Sequence, residues 1–225
     1  LGWGDTGTVI FANSVAGARS NFEAGPAAVC AGLTGRVPRY GFHLPQCRKG
    51  SIRVVVEEQP LSRSDWGALG CVVGRQVDDY WRVPVFEGVT GSPSIDDLKH
   101  LGASLASYGS LAMFHILGVT PEARSKDEAY GGAHYEETIV IPPGTLAATY
   151  ASFAPEKEEA DLVVCGTPQL SLFELRELVD LLKGKRVSED TRLYLTTSSQ
   201  VKALADEMGY TEIVRAAGGH ILTGV

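Results

Sequence analysis

Three side chains stand where chemistry could be done: Cys165, Arg19 and His115. Asp161-Leu162-Val163-Val164-Cys165 reads as a short buried strand, broken at once by Gly166-Thr167-Pro168 before Ser171-Leu172-Phe173-Glu174 opens a helix. A thiol at the carboxyl end of a strand, facing a helix amino terminus, is a common setting for a reactive or metal-ligating group. Packing as a small core residue is the other use of a free cysteine. Arg19 lies in Asn13-Ser14-Val15-Ala16-Gly17-Ala18-Arg19-Ser20-Asn21, where amide, hydroxyl and guanidinium groups alternate with residues small enough to let a ligand reach the backbone. Its guanidinium could grip a carboxylate through two parallel hydrogen bonds, a geometry lysine cannot reproduce. The same stretch also reads as a polar turn in which Asn13 bonds its own backbone and Arg19 lies on the surface. His115 ends an apolar run and precedes Gly118-Val119-Thr120-Pro121-Glu122. It could act as an acid–base group or hold an oxyanion, or be a buried histidine bonded to a backbone carbonyl.

Strand-like and helix-like segments alternate along the chain and would position these groups. Thr8–Ala12, Ile52–Glu57, Leu111–Ile116, Thr138–Ile141, the Cys165 run, Arg192–Thr196 and the run from His220 to Val225 read as strands. Helices are expected near Pro26–Leu33, over Ser64–Val77, from Ser94 to about Tyr108, from Thr120-Pro121-Glu122, after Ser171, and over Ser199–Met208. Gly67, Gly70 and Gly74 recur at helical spacing, so one face of the second helix is expected to pack very closely. The rhythm predicts an α/β fold with mainly parallel sheets flanked by helices, with a possible boundary near 84–93. The chain starts at Leu1 and stops inside an apolar run, and is expected to be a fragment of a larger chain.

Composition narrows the function classes. Of the 225 residues 44% are hydrophobic and 21% charged, with a net charge of -7 and no basic cluster longer than Cys47-Arg48-Lys49. Nucleic-acid binding rests on neutralising phosphates, so no nucleic-acid partner is expected. No apolar run approaches the ~20 residues that span a bilayer, so no membrane association is expected either. Four cysteines at wide, irregular spacing make neither a disulfide framework nor a self-contained zinc site, and a reducing cytoplasm follows as the expected location. No G-x-G-x-x-G follows any of the expected strands, and P-loop and nucleophile-elbow motifs do not occur.

Five segments in order resemble the catalytic part of the aconitase X family. They are Phe11-Ala12-Asn13-Ser14-Val15-x-Gly17-Ala18-Arg19-Ser20-Asn21, Ala31-x-Leu33-Thr34-Gly35-Arg36-Val37-Pro38, Tyr40-Gly41-x-His43, Leu98 to Gly109, and Phe114-His115-x-x-Gly118-Val119-Thr120-Pro121-Glu122-Ala123. The resemblance extends to Thr196-Thr197-Ser198 and so spans nearly the whole chain. It implies an aconitase-like hydro-lyase that dehydrates a small hydroxy acid, with an iron–sulfur cluster as Lewis acid and a swivelling domain, fused or separate, as partner. Trp66-Gly67-Ala68 and Val83-Pro84-Val85-Phe86 look like the fused bacterial type, which makes cis-3-hydroxy-L-proline the first expected substrate. Mevalonate 5-phosphate is the alternative, and a non-catalytic metabolite-binding α/β domain the reading from another class.

By the same resemblance Arg19, with Asn13 and Ser14, would hold the substrate, and His115 would orient the leaving oxygen. One departure matters. Many members carry Gly-Cys-Pro-His where this chain has Gly166-Thr167-Pro168-Gln169. Cys165, two residues earlier and on the same strand face as Thr167, would then ligate the cluster, or pack in the core and leave Thr167 to face the substrate. The family's other cluster ligands lie outside the segment present, so a cluster is expected to be incomplete in it.

Overall fold

The computed structural model describes residues 7–23, 25–132, 134–155, 157 and 159–224. They divide after Phe153 into two compact units. The stretch 84–93 lies inside the larger one, so the division falls far from the boundary expected there.

The larger unit starts with α1 (Gly7–Ser14) and α2 (Pro26–Thr34). Thr8–Ala12 is therefore helical and not a strand. A short β-branched run suits either state, and packing decides: Ile10 and Phe11 are buried, and Ile10 lies so close to Gly102 that a Cβ there would meet it at 3.3 Å. None of α2 is buried, and its Cys30 is exposed. Two 3-10 turns, Gly41–His43 and Pro45–Arg48, lead into the sheet.

Four parallel strands, β1 (Ile52–Val56), β2 (Pro84–Glu87), β3 (His115–Ile116) and β4 (Glu137–Ile141), stand in the order β3-β2-β1-β4. Between them run α3 (Arg63–Val77), α4 (Ile95–Gly109) and α5 (Lys126–Tyr130), and α6 (Thr145–Ala151) follows β4. Ser62 and Ser94 close capping boxes with Asp65 and Asp97, which fixes where α3 and α4 begin. The glycine face of α3 packs as expected. A Cβ at Gly70 would fall 2.6 Å from the Leu101 carbonyl oxygen, and one at Gly74 would fall 3.2 Å from the Gly109 amide. Any larger residue would push α4 away.

Two segments differ from their sequence patterns for the same reason. The Leu111–Phe114 run is fully buried but unpaired with the sheet, because side chains of α1 take its backbone groups: the Phe114 amide donates to Ser14 Oγ at 2.9 Å, and Ala112 accepts from Asn13 Nδ2 at 3.0 Å. Thr120-Pro121-Glu122 starts no helix. Thr120 folds back on Ile116, its amide donating to that carbonyl at 3.1 Å, and the helix waits for the Ser125 cap of α5.

The smaller unit holds β5 (Leu162–Cys165), β6 (Arg192–Thr197) and β7 (Gly219–Thr223), all parallel in the order β5-β6-β7. Val225, the expected end of the last strand, lies outside the described residues. Helices α7 (Leu172–Leu182), α8 (Ser199–Glu207) and α9 (Tyr210–Ala216) bury Leu175, Val179, Ala205 and Val214 against Leu195. β5 is an edge strand, and Leu162, Val163 and Val164 are exposed where a buried strand was expected. Ser171 and Glu174 form the expected capping box at α7.

Candidate functional site

A completely buried guanidinium organises the larger unit. Arg48 is 0% exposed, and its Nη2 donates to the Asn13 carbonyl at 2.9 Å, its Nη1 to the Phe42 carbonyl at 3.1 Å. Its Nε faces both oxygens of Glu122 at 2.9 Å, and Nη2 adds a further short contact to the same carboxylate. Arg48 thus joins the carboxyl end of α1, the Gly41–His43 turn and the turn after β3. A cation on the last carbonyls of a helix also suits the helix dipole. Burial opposes ionisation of Glu122, but the hydrogen bonds and charge of Arg48 outweigh it and hold the carboxyl below its ordinary range.

His115 supports this arginine from behind. It is 1% exposed, and its Nε2 lies 2.8 Å from the Arg48 carbonyl, which can only accept, so Nε2 carries the proton. Nδ1 is buried with no partner, and burial pushes the imidazole below its ordinary value. Of the roles open in the sequence, the buried histidine on a backbone carbonyl is the one this geometry matches.

Asn13 and Ser14 are likewise turned inward. The Asn13 amide accepts from the Ser20 amide at 2.9 Å and donates to the Ser20 and Ala112 carbonyls, and Ser14 Oγ is used by Phe114. Both side chains are buried and committed to the protein itself. They fasten the loop that displays Arg19. Arg19 is exposed, and Nη1 donates to the His43 carbonyl at 3.1 Å. His43 in turn places Nε2 2.9 Å from Glu23 and Nδ1 2.8 Å from the Pro38 carbonyl. Glu23 also accepts from Ser20 Oγ, the Asn21 amide and Asn21 Nδ2. Gly41 is required here: at φ +52 a Cβ would fall 2.3 Å from Asn21 Oδ1, the oxygen that receives the Phe42 amide.

The assembly sits toward the amino ends of the strands, since Arg48 precedes β1 and Ala112 precedes β3. Sequence reasoning found Arg19 and overlooked Arg48, Glu122, Glu23 and His43 as one network. Arg48 showed only as part of a short basic cluster. A second polar cluster surrounds a cavity of about 290 Å³ where Glu87 is engaged by Arg53, Lys126 and Tyr130. Its charges are mutually compensated.

In the smaller unit Cys165 is half-buried beside the apolar core, and burial pushes its thiol up. Thr167 is exposed on the turn that follows. That turn is tightly built: Thr196 Oγ1 donates to the Gly166 carbonyl at 2.9 Å, Thr197 Oγ1 to the Leu170 carbonyl at 2.6 Å, and a Cβ at Gly166 would overlap Thr196. Among the described residues no three His, Cys, Asp or Glu side chains could share a metal ion. Cys165 is thus joined by no further set of such ligands, and the described residues do not by themselves make up an iron–sulfur site.

Both units are of the α/β class, each built on a parallel sheet flanked by helices. Comparison with known proteins then gives the family. Models of the aconitase X first, second and third domains match residues 1–46, 50–151 and 160–225, and the chain belongs to the aconitase X family. It is 39% identical to the phosphomevalonate dehydratase large subunit of Methanothermobacter thermautotrophicus, covering 99% of this chain and 53% of that protein. It is 34% identical to the cis-3-hydroxy-L-proline dehydratase of Pseudomonas aeruginosa, covering 98% of this chain and 38% of that one. The crystal structure of Thermococcus kodakaraensis aconitase X in its holo-form superposes with a TM-score of 0.87 at 37% identity, over 97% of this chain and 55% of that one. The chain thus spans about half the length, or less, of the relatives it matches.

Proposed function

We propose that this chain supplies the substrate-anchoring part of a hydro-lyase that removes water from a small hydroxy acid, with 5-phosphomevalonate as the substrate. The observation that carries this reading is Arg19, an exposed guanidinium fixed by the His43 carbonyl in a chain of a dehydratase-containing family. A guanidinium so held can take a substrate carboxylate through paired charge-assisted hydrogen bonds. Thr167, exposed on its turn, is a second contact for the substrate's polar groups.

The choice of substrate rests on the greater likeness to phosphomevalonate dehydratases, 39% against 34% for the hydroxyproline enzyme. Exposed Arg36 and Arg39 flank the segment whose Pro38 carbonyl meets His43, and extra cations suit a phosphate. cis-3-Hydroxy-L-proline is the competing substrate.

Dehydration needs a base at the carbon beside the carboxylate and an acid at the leaving hydroxyl. Around Arg19, Glu122 and Glu23 are engaged and His115 is buried. The share of this chain is accordingly to bind and orient the substrate. An iron–sulfur cluster and the acid–base groups belong to the intact enzyme, together with a swivelling domain or a small-subunit partner. The test is turnover of both substrates by the intact protein prepared without oxygen. Preferential loss of water from 5-phosphomevalonate is expected. Preference for cis-3-hydroxy-L-proline would reassign the substrate, and inertness toward both would remove the dehydratase reading.

A further inference from the structure

Two guanidinium groups in the larger unit bind consecutive carbonyls: Arg48 Nη1 meets Phe42 O and Arg19 Nη1 meets His43 O, each at 3.1 Å. Their surroundings are otherwise opposite. Arg48 is 0% exposed and carries the Glu122 carboxylate on its Nε and Nη2. Arg19 is exposed and, among the described residues, has no carboxylate partner. Acids are nonetheless near. Arg48 binds Glu122 and the Phe42 carbonyl, and Arg19 binds the next carbonyl along, so Glu122 and Arg19 share one neighbourhood, where the charge of Arg19 helps keep the carboxyl ionised. The other acid of the site, Glu23, touches His43 itself and is taken by His43, Ser20 and Asn21.

An arginine beside a free carboxylate forms an ion pair, and a substrate anion would have to displace it. We propose that Arg48 is a positioning residue whose hold on Glu122 keeps Arg19 unpaired and open to the substrate's carboxylate. Arg48 is closed off from solvent. It acts by fixing Glu122, whose side chain is 27% exposed and therefore able to swing toward Arg19 once released. The same guanidinium ties the Asn13 and Phe42 carbonyls, so the display of Arg19 and the restraint of its competitor depend on one group. The inference rests on the reading of Arg19 as the carboxylate anchor.

The test uses the intact protein with 5-phosphomevalonate and the variants Arg48→Gln, Glu122→Gln, the double variant and Arg19→Ala, with thermal unfolding as a check on folding. Arg48→Gln is expected to raise KM about tenfold while kcat changes much less, because the lost interaction is ground-state binding. The double variant has no carboxylate left to capture Arg19, and its KM is expected to return to within about threefold of the parent. A simple structural role predicts the reverse, a double variant as impaired as Arg48→Gln or more so, and that result overturns the proposal. Where Arg48→Gln does not fold, Glu122→Gln decides: a KM no higher than the parent's supports the proposal, and one raised as far as in Arg19→Ala overturns it. A KM unchanged in Arg19→Ala itself would remove the anchor reading. A raised KM there without rescue in the double variant removes only the role of Arg48.

Discussion

Arg19 and Cys165 both follow an apolar run in the sequence, and both have a side chain that could meet a ligand. In the structure they part. Around Arg19 every neighbouring polar group is already engaged: Asn13 with Ser20 and Ala112, Glu23 with His43 and Asn21, Glu122 with Arg48. Arg19 is left exposed among them. Around Cys165 the leftover side chain is Thr167, while the thiol itself joins Leu195 and its neighbours in the core. A residue is thus marked for function by what remains once its neighbours have partnered each other, and side-chain type alone does not reveal that.

The sharpest way to break this contrast is to exchange burial for exposure within the arginine pair. Arg48→Ala leaves Glu122 and two carbonyls without their buried donor and is expected to lower unfolding stability by about 3–5 kcal/mol. Arg19→Ala removes an exposed side chain and should stay within about 0.5 kcal/mol of the parent, while kcat/KM of the intact protein falls about 100-fold, the scale of a charged hydrogen-bonded contact. Denaturant unfolding of both variants, beside steady-state kinetics of the second, checks the pair. Equal stability losses would mean that Arg19 is also scaffold.

That distinction lay beyond the sequence for a physical reason. The strands β5, β6 and β7 and the helices α3, α4, α7 and α8 were legible from local signals, capping boxes and glycine spacing among them, whereas α9 was missed. Thr8–Ala12 was not legible, since its state is decided by contact with Gly102 some ninety positions on. The network joining Asn13, Phe42, Arg48, His115 and Glu122 is equally non-local. Each member alone reads as an ordinary polar residue, so Arg19 could be singled out and its support could not.

Acid should separate the two regions more gently. Burial alone would raise the Glu122 carboxyl, yet Arg48 holds it below the ordinary value of 4.5, with His115 and Arg19 adding to that. A carboxyl depressed in the folded state contributes stability that is fully present above its unfolded value and is lost as pH falls through the folded one. Stability measured downward from about pH 5 should therefore decline more steeply in the parent than in Glu122→Gln. Cys165 ionises far above this window and should add nothing to the slope. Parallel curves would show that Arg48 does not depend on the charge of Glu122.

The smallest effect is expected at Cys165 and bears most directly on the metal. Its thiol is half-buried beside the apolar core and pushed up by burial. Cys165→Ala removes one sulfur from a packed position and should cost about 1 kcal/mol. In the intact protein, iron content and turnover should be unchanged, because a core sulfur makes no bond to a cluster. Alkylation offers a second reading: exposed Cys30 should react well before Cys165, since the thiolate is the reacting form and burial suppresses it. Loss of iron in Cys165→Ala would reverse the comparison, making the residue that looks like core a ligand and moving the chemistry of the smaller unit from the Thr167 turn back to the strand.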